Sequence, residues 1–392
     1  MDSMKTSQLM NTYARLPLAF ERGEGAWLWD SSGKKYLDAI AGIGVCALGH
    51  SHPEITEVIA DQAGQLIHTA NLAEIPWQET LAAKLAGIAG MENVFVANSG
   101  AEVVECAMKL IRLVAHSKGI DRPEIVVMEN SFHGRTLAAL SATGSRKVQA
   151  GYEPLVGGFV RVPFGDIDAL ENAAANRPGI AAVMLEPIQG ESGVQVPPEG
   201  YLQAVRALCD RKGWLMVCDE IQTGLCRTGK WYASQHEDVT PDIIASAKAL
   251  ANGIPIGACI ARGEAASAFS PGRHGSTFGG NPLACRTACK VLEIMERDEV
   301  AEHAATLGAQ IVDSFNKRLD GHASLRDVRG RGLMIGLEIN QEVNHLKFKA
   351  LEKGLVINVT HDNVIRLLPP LIIDSEQAGQ IVDTVSSLIE EL

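Results

Sequence analysis

Seven short apolar runs, rich in valine and isoleucine, recur between residue 93 and about residue 261. In chain order they are N-V-F-V-A, E-I-V-V-M-E, F-V-R-V-P, A-A-V-M-L-E-P, W-L-M-V-C-D-E, D-I-I-A-S-A and I-G-A-C-I-A. Helical stretches lie between many of them, and over residues 102–115 the apolar side chains keep the i, i+3, i+4 spacing of a helix with one buried face. Strands that alternate with helices favour an α/β fold with a mostly parallel sheet covered on both faces.

The segments on either side of this region predict a smaller α+β domain. W-L-W-D-S-S-G-K-K-Y-L-D is typical of a hairpin that turns at residues 30–33. After Val300 the pattern indicates a long helix, a strand pair over L-R-D-V-R-G-R-G-L-M-I-G-L-E-I, a helix, a strand at V-I-R-L-L-P-P and a final helix. We expect residues 1–50 and 296–392 to form the smaller domain and residues 51–295 the larger one.

Charge and cysteine usage exclude several classes of protein. The net charge of -12 would repel phosphate backbones and anionic lipids, and no run of basic residues is present, so we expect neither nucleic acid nor a membrane as a partner. The eight cysteines form no C-x-x-C pair, which favours reduced thiols in the cytoplasm. No stretch reaches the ~20 apolar residues of a membrane span, and the first residues lack the apolar core of a signal peptide.

Polar residues follow four of the apolar runs, at the point where each predicted strand ends. They are residues 98–102, residues 131–135, Asp219 and Lys248. Ligands of open parallel sheets bind beyond the carboxyl ends of the strands, so we expect these groups to surround a site. Residues 98–101 open the predicted helix, where backbone N–H groups attract an anion. A simple helix N-cap is the alternative for that segment.

Asp219 and Lys248 both end apolar stretches, where a bare charge is costly without a partner. The Asp219 carboxylate should therefore face a cation. Lys248 lies between Ala247 and Ala249, and a poorly solvated amine there would readily form an imine with an aldehyde. The two residues could equally form an ion pair with a structural role only.

Six motifs connect these residues to a known family. N-S-G-A-E, S-F-H-G-R-T, E-P-I-Q-G-E, D-E-I-Q-T-G, A-K-A-L and S-T-F-G-G-N-P occur in this order, and together they resemble the class III aminotransferases among the fold-type I pyridoxal phosphate enzymes. The resemblance runs nearly end to end. It implies a seven-stranded sheet, pyridoxal 5'-phosphate as cofactor, and amino transfer from a small-molecule donor to 2-oxoglutarate.

The resemblance also implies roles for single residues. Lys248 would carry the cofactor as a Schiff base, and Asp219 would pair with the pyridinium nitrogen of its ring. Phe132 would stack on the ring, although it could also be an ordinary core residue. The other residues expected to bind the cofactor are Ser99, Gly100, Ala101, His133, Glu186, Gln222 and, from the second subunit of a homodimer with shared active sites, Thr277.

Two arginines are expected to bind substrate carboxylates, because a guanidinium matches a carboxylate in a bidentate way. They are Arg135 and Arg366, for which a surface ion pair is the alternative. Glu191 resembles the family's carboxylate that pairs with the second arginine while the amino donor is bound and moves aside for 2-oxoglutarate. Tyr13 and Ser276 complete the expected substrate contacts.

The identity of the donor depends on finer likeness. T-Y-A-R-L-P-L-A-F-E-R-G-E-G, A-L-G-H-S-H-P and R-G-R-G-L-M-I-G favour N-acetylornithine, with succinylornithine, ornithine and 4-aminobutyrate as alternatives. An aminomutase, a decarboxylase or a binding protein without turnover are more distant alternatives. Cys226 replaces a residue that is usually glycine in this family, which puts the local turn geometry in doubt, whereas Asn252, which with Ala251 replaces a glycine pair, is a mild change because asparagine tolerates a left-handed turn. His50 and His52 have no third metal ligand nearby in sequence, so we expect no metal site.

Overall fold

The computed structural model describes residues 8–392. Its strands are β1 (Phe20–Glu24), β2 (Trp27–Asp30), β3 (Lys35–Asp38), β4 (Asn93–Ala97), β5 (Glu124–Met128), β6 (Phe159–Val162), β7 (Ile180–Leu185), β8 (Leu215–Asp219), β9 (Ile243–Ser246), β10 (Gly257–Ala261), β11 (Leu325–Arg331), β12 (Met334–Ile339), β13 (Leu355–Val356), β14 (Asn358–Thr360) and β15 (Val364–Leu367). Two 3-10 helices span Ala233–Glu237 and Lys248–Ala251. The α-helices are α1 (Ala41–Gly44), α2 (Pro53–Gln65), α3 (Pro76–Ala89), α4 (Gly100–Ser117), α5 (Leu137–Ala142), α6 (Arg146–Gln149), α7 (Ile167–Asn176), α8 (Tyr201–Lys212), α9 (Gly263–Ala266), α10 (Pro282–Arg297), α11 (Val300–Arg318), α12 (Leu346–Glu352) and α13 (Ser375–Glu390).

A seven-stranded sheet forms the centre of the larger part, in the order β4-β10-β9-β8-β7-β5-β6. All seven apolar runs lie in it, which confirms the predicted fold class. Strands β9, β8, β7, β5 and β6 pair in parallel, whereas β10 pairs antiparallel with both β9 and β4. The four central strands β5, β7, β8 and β9 are buried nearly throughout because helices cover both faces, as their unbroken apolar sequences require.

Two four-stranded sheets flank the large one. The first has the order β1-β2-β3-β13 and contains the predicted hairpin, with β2 and β3 paired antiparallel. The second has the order β11-β12-β15-β14 and contains the predicted strand pair. Because β13 pairs with β3, segments from the two ends of the sequence share one sheet, as expected for the smaller α+β domain. The domain limits at residues 50 and 295 stay a prediction.

One apolar core joins these parts. Buried side chains of α10, α11 and α13 pack with those of β12 and β15 and with residues next to the end of β9. The two parts of the molecule are therefore held against each other, and groups on the small sheets have fixed positions relative to the large sheet. Within residues 8–392, no helix combines the length and the apolar character that crossing a membrane requires.

Candidate active site

A cavity of about 400 Å³ opens beyond the carboxyl ends of the parallel strands. All four polar segments that the sequence singled out border it. Ten of the predicted site residues line this cavity, namely Ser99, Gly100, Ala101, Phe132, His133, Arg135, Glu186, Asp219, Gln222 and Lys248. The sequence argument from strand ends therefore located the cavity.

One end of the cavity is formed by the first turn of α4. Ser99 is the N-cap of this helix, and its side chain accepts a hydrogen bond from Glu102 N at 3.3 Å. Gly100 and Ala101 are the first two helical residues, whose N–H groups have no partner inside a helix. A Cβ atom on Gly100 would lie 2.8 Å from Ile221 Cδ1, so the position has no room for a side chain. The same segment can therefore act both as the N-cap of α4 and as a binding site for an anion.

Asp219 ends β8 and is buried. Its Oδ2 lies 2.7 Å from His133 Nδ1, and its Oδ1 accepts a hydrogen bond from Ile221 N at 3.2 Å. Burial lowers the pKa of His133, but the hydrogen bond and charge of Asp219 together with the charge of Glu186 outweigh it and raise that pKa. The hydrogen-bond partner of Asp219 is therefore His133, and no ion pair joins Asp219 to Lys248 among the described residues.

Glu186 follows β7 and lies close to this pair. Its Oε2 accepts a hydrogen bond from Phe132 N at 2.9 Å. Burial raises the pKa of Glu186 to about 7, opposed by the charge of His133. The Nε2 atom of His133 is buried, and the part of the chain that the structure describes offers it no hydrogen-bond partner. Three buried titratable groups, Asp219, His133 and Glu186, thus lie together in the lining of the cavity.

Lys248 follows β9 and begins a 3-10 helix. Its φ of +43° lies in the left-handed region, a strained conformation that costs about 1–3 kcal/mol and is common at functional sites. Burial is the main cause that lowers its pKa from 10.5 to about 8, while the charge of Glu191 opposes the shift. The amine is therefore much closer to its nucleophilic, uncharged form at neutral pH than an ordinary lysine.

Arg366 on β15 enters the same region from the smaller part of the molecule. It is 1% exposed, and its Nη1 lies 2.6 Å from Glu191 Oε1 and 3.2 Å from Gln222 Oε1. Its Nη2 donates to Asn358 Oδ1 at 2.8 Å. Burial opposes ionisation of Glu191, but Arg366 outweighs it and lowers the pKa of the Glu191 carboxyl. The predicted pairing of Glu191 with Arg366 is present. Arg366 also donates a hydrogen bond directly to Gln222, which lines the cavity.

Arg135 also lines the cavity, with its guanidinium 5.5 Å from the centre of the Phe132 ring. Five predicted residues are not among those that line the cavity: Glu191 and Arg366, which lie beside it, and Tyr13, Ser276 and Thr277. Tyr13 is 73% exposed, Thr277 is exposed, and the Ser276 hydroxyl accepts a hydrogen bond from Asn98 Nδ2 at 3.1 Å. Of these, only Thr277 was predicted to serve the cavity of a second subunit.

Some residues of the site escaped the sequence argument. Val45 and residues 254–256 form an apolar wall, and no charge or motif marked them. Asn252 has a φ of +47°, and its side chain accepts a hydrogen bond from Leu48 N and donates one to Gly49 O, both at 2.9 Å. In the sequence, only the presence of asparagine where the family usually has glycine marked Asn252, and these two hydrogen bonds were not predicted. Cys226 likewise adopts a φ of +68°, which explains why glycine is usual there and shows that the turn forms with cysteine.

Comparison with known proteins extends these observations. A sequence profile of the class-III aminotransferases matches residues 9–389. The acetylornithine aminotransferase of Nitrosomonas europaea is 50% identical over 383 residues, and acetylornithine aminotransferase 1 of Bordetella pertussis is 46% identical over 386 residues; each alignment covers 98% of both chains.

Solved structures give the same result. The ornithine aminotransferase of Toxoplasma gondii superimposes with a TM-score of 0.95 at 35% identity, over 98% of this chain and 93% of that one. The acetylornithine aminotransferase of Elizabethkingia anophelis has a TM-score of 0.89 at 38% identity, over 98% and 96% of the two chains.

Proposed function

Because the chain belongs to the class III aminotransferases, we propose that it transfers the δ-amino group of N-acetylornithine to 2-oxoglutarate, giving N-acetylglutamate 5-semialdehyde and glutamate. The observation that carries the proposal is the Arg366–Glu191 pair at 2.6 Å beside a cavity that contains Lys248. A dicarboxylate acceptor needs a second cation, and a buried cation needs a substitute partner when that acceptor is absent. Several relatives between 43% and 50% identical are acetylornithine aminotransferases, which supports this donor.

The residues of the cavity fit pyridoxal 5'-phosphate. Gly100 and Ala101 begin α4, where a phosphate would meet backbone N–H groups, and the Lys248 amine is available to an aldehyde. Asp219 offers a carboxylate for a ring nitrogen. When bound, the cofactor supplies an electron-withdrawing ring that stabilises the charge left on a substrate carbon after it loses a proton.

The chain's own residues perform the remaining tasks. Lys248 would move the proton between two carbon atoms, because burial brings the pKa of its amine to about 8, nearer to neutral pH than that of an ordinary lysine. Arg135 and Arg366 would hold the carboxylates. Glu191 would cover Arg366 while the donor is bound and leave it when 2-oxoglutarate arrives. The remaining assignments stay as the resemblance implies, with Ser99 and Ala101 at the phosphate, Phe132, His133, Glu186 and Gln222 around the ring, and Tyr13 and Ser276 near the substrate.

The pH dependence of cofactor uptake tests the state of Lys248. Only the unprotonated amine attacks an aldehyde, so below the pKa of about 8 the rate should fall roughly tenfold per pH unit. We expect cofactor-free protein to take up pyridoxal phosphate covalently with a rate that rises with pH and levels off above about pH 8, followed by absorbance. If the rate of cofactor uptake instead kept rising up to about pH 10.5, the ordinary pKa of a lysine, this result would contradict the lowered pKa of Lys248.

We further propose a homodimer in the cytoplasm. Leu66, Ile67, Leu72 and Phe278 are exposed apolar side chains on two segments that contact each other, since His68 lies against Phe278 with ring centres 5.4 Å apart. This surface adjoins Thr277, which is expected to serve the other subunit's cavity, so a second copy is the occupant that fits it. The mass of the protein in solution measures the assembly. The eight cysteines are all free thiols, which agrees with a reducing compartment.

A panel of amino donors tests the substrate. We expect kcat/KM to be highest for N-acetylornithine, with one glutamate formed for each amine consumed, measured with 2-oxoglutarate as acceptor. Ornithine is the second candidate, because the ornithine aminotransferase of Toxoplasma gondii superimposes with a TM-score of 0.95. A higher kcat/KM for ornithine would replace the first candidate with the second, and product without glutamate would point to an aminomutase or a decarboxylase.

A further inference from the structure

The loop that carries Glu191 spans residues 189–195 and is called here the Glu191 loop. Its two ends are joined by a pair of backbone hydrogen bonds, Gln189 N to Gln195 O at 3.0 Å and Gln195 N to Gln189 O at 2.9 Å. Gly193 and Val194 follow Glu191 with φ angles of +96° and +53°. The loop is therefore short, closed at its base and strongly bent just after Glu191.

Arg329 on β11 holds this bend. Its Nε donates to Gly193 O at 3.1 Å and to Val194 O at 3.0 Å, and its Nη2 donates to Gly193 O at 2.7 Å. Its Nη1 lies 2.6 Å from Glu338 Oε2 and 3.0 Å from Asp327 Oδ2, so the guanidinium charge is balanced on its other side. The Arg329 side chain is 14% exposed. One cation of the smaller part thus binds two carbonyls that lie two and three residues after Glu191.

Close packing supports the same bend. A Cβ on Gly193 would lie 2.8 Å from Val364 Cγ2, and one on Gly336 would lie 3.0 Å from Val194 Cβ. Val194 is fully buried against a small apolar cluster with Met334. The backbone of the Glu191 loop cannot move without breaking these contacts, whereas the Glu191 side chain is 36% exposed and forms hydrogen bonds only with Arg366 and Gln222 among the described residues.

We infer that Arg329 is a positioning residue that restricts Glu191 to side-chain rotation and thereby sets how well it covers Arg366. The inference rests on the proposed role of Glu191. If the pairing with Arg366 is needed while the amino donor reacts, loosening the loop impairs that half of the cycle. The half that uses 2-oxoglutarate needs Glu191 away from Arg366, so it tolerates a loose loop. Arg329 therefore determines the balance between the two half-reactions without touching a substrate.

The chain contains a matched control for this arginine. Arg326 lies on the same strand, and its Nη1 pairs with Glu338 Oε1 at 2.9 Å, but its side chain is 68% exposed and makes no contact with the Glu191 loop among the described residues. Arg326→Met removes an ion pair with Glu338 only. Arg329→Met removes ion pairs with Glu338 and with the 50% exposed Asp327, together with the hydrogen bonds to the Glu191 loop.

The two half-reactions are measured separately in the holoenzyme, from the change in cofactor absorbance with the donor alone and with 2-oxoglutarate alone. For Arg329→Met we expect kcat/KM of the donor half-reaction to fall about tenfold while the 2-oxoglutarate half-reaction changes less than about twofold. Arg326→Met should change neither by more than about twofold. Equal losses in both half-reactions, a larger loss with 2-oxoglutarate, or no loss with the donor would overturn the inference.

A second variant and a second measurement separate this role from general damage. Arg329→Lys keeps the charge near Glu338 but cannot bind both carbonyls in a fork, so the same imbalance should appear at about threefold. Amide hydrogen exchange of residues 190–194 should quicken in both Arg329 variants and not in Arg326→Met, and unchanged exchange would refute the hold on the loop. The exchange result is independent of turnover: a wild-type protein that ran neither half-reaction would disprove the proposed function alone.

Discussion

Replacing Lys248 with alanine is expected to lower amino transfer by at least about 10³-fold, because the variant loses both the amine that attaches the cofactor and the group that moves the proton. The environment of Lys248 supports this double role, since burial lowers its pKa to about 8 and no carboxylate neutralises it within ion-pair distance among the described residues. The measurement is kcat/KM with the best donor and 2-oxoglutarate. Substantial turnover by Lys248→Ala would remove the assignment.

Mass spectrometry supplies a test of the same residue that does not depend on turnover. After borohydride reduction, the peptide that contains Lys248 should carry the mass of the reduced cofactor in the wild-type protein, and the corresponding peptide of Lys248→Ala should not. Lys212 is an exposed lysine at the end of α8 and provides the control. Lys212→Ala should keep both the adduct and the wild-type rate.

Replacing Asp219 with asparagine is expected to lower kcat/KM about 10²-fold or more, because a neutral amide cannot keep a ring nitrogen protonated. Asparagine also leaves the His133 ring without the carboxylate that lies 2.7 Å from it. The measurement is kcat/KM of each half-reaction. Wild-type kinetics in Asp219→Asn would show that this carboxylate has no part in the chemistry.

Glu220 is the matched control for Asp219, because it is the next residue and is also buried. Its carboxylate accepts hydrogen bonds from Ala233 N at 2.9 Å and Ser234 N at 2.8 Å, and so holds the start of a 3-10 helix. Glu220→Gln should cost about 1–3 kcal/mol of stability, seen as a lower melting temperature, with kcat/KM changed less than about threefold. The pair of variants thus separates loss of chemistry from loss of stability.

The sequence predicted the large sheet well because its strands are buried on both faces and read as unbroken apolar runs. The order of the strands in the sheet could not be predicted from this pattern. The antiparallel direction of β10 was not predicted either, since an apolar run looks the same in either direction. Strands β1, β13 and β14 were missed. β1 is mostly exposed and lacks an apolar face, and β13 has two residues, so neither produces a periodic signal.

The same distinction applies to the site. Asp219 and Lys248 were recognisable because a charge at the end of an apolar run demands an explanation. The partner of Asp219 was not, since His133 comes from a segment 86 residues earlier in the chain. Arg329 begins the R-G-R-G-L-M-I-G segment, but nothing in the sequence indicated its contact with the Glu191 loop, because its partners there are backbone carbonyls.

The position of Val45 has a consequence for biosynthesis. Val45 lines the cavity and follows β3, which pairs with β13 (Leu355–Val356). Two further hydrogen bonds hold the segment around Val45, from Leu368 N to Ala39 O and from Leu371 N to Ala47 O. A ribosome must therefore translate nearly the whole message before the first fifty residues acquire their support. The part of the cavity wall that Val45 contributes is consequently completed only after almost all of the chain has been synthesised.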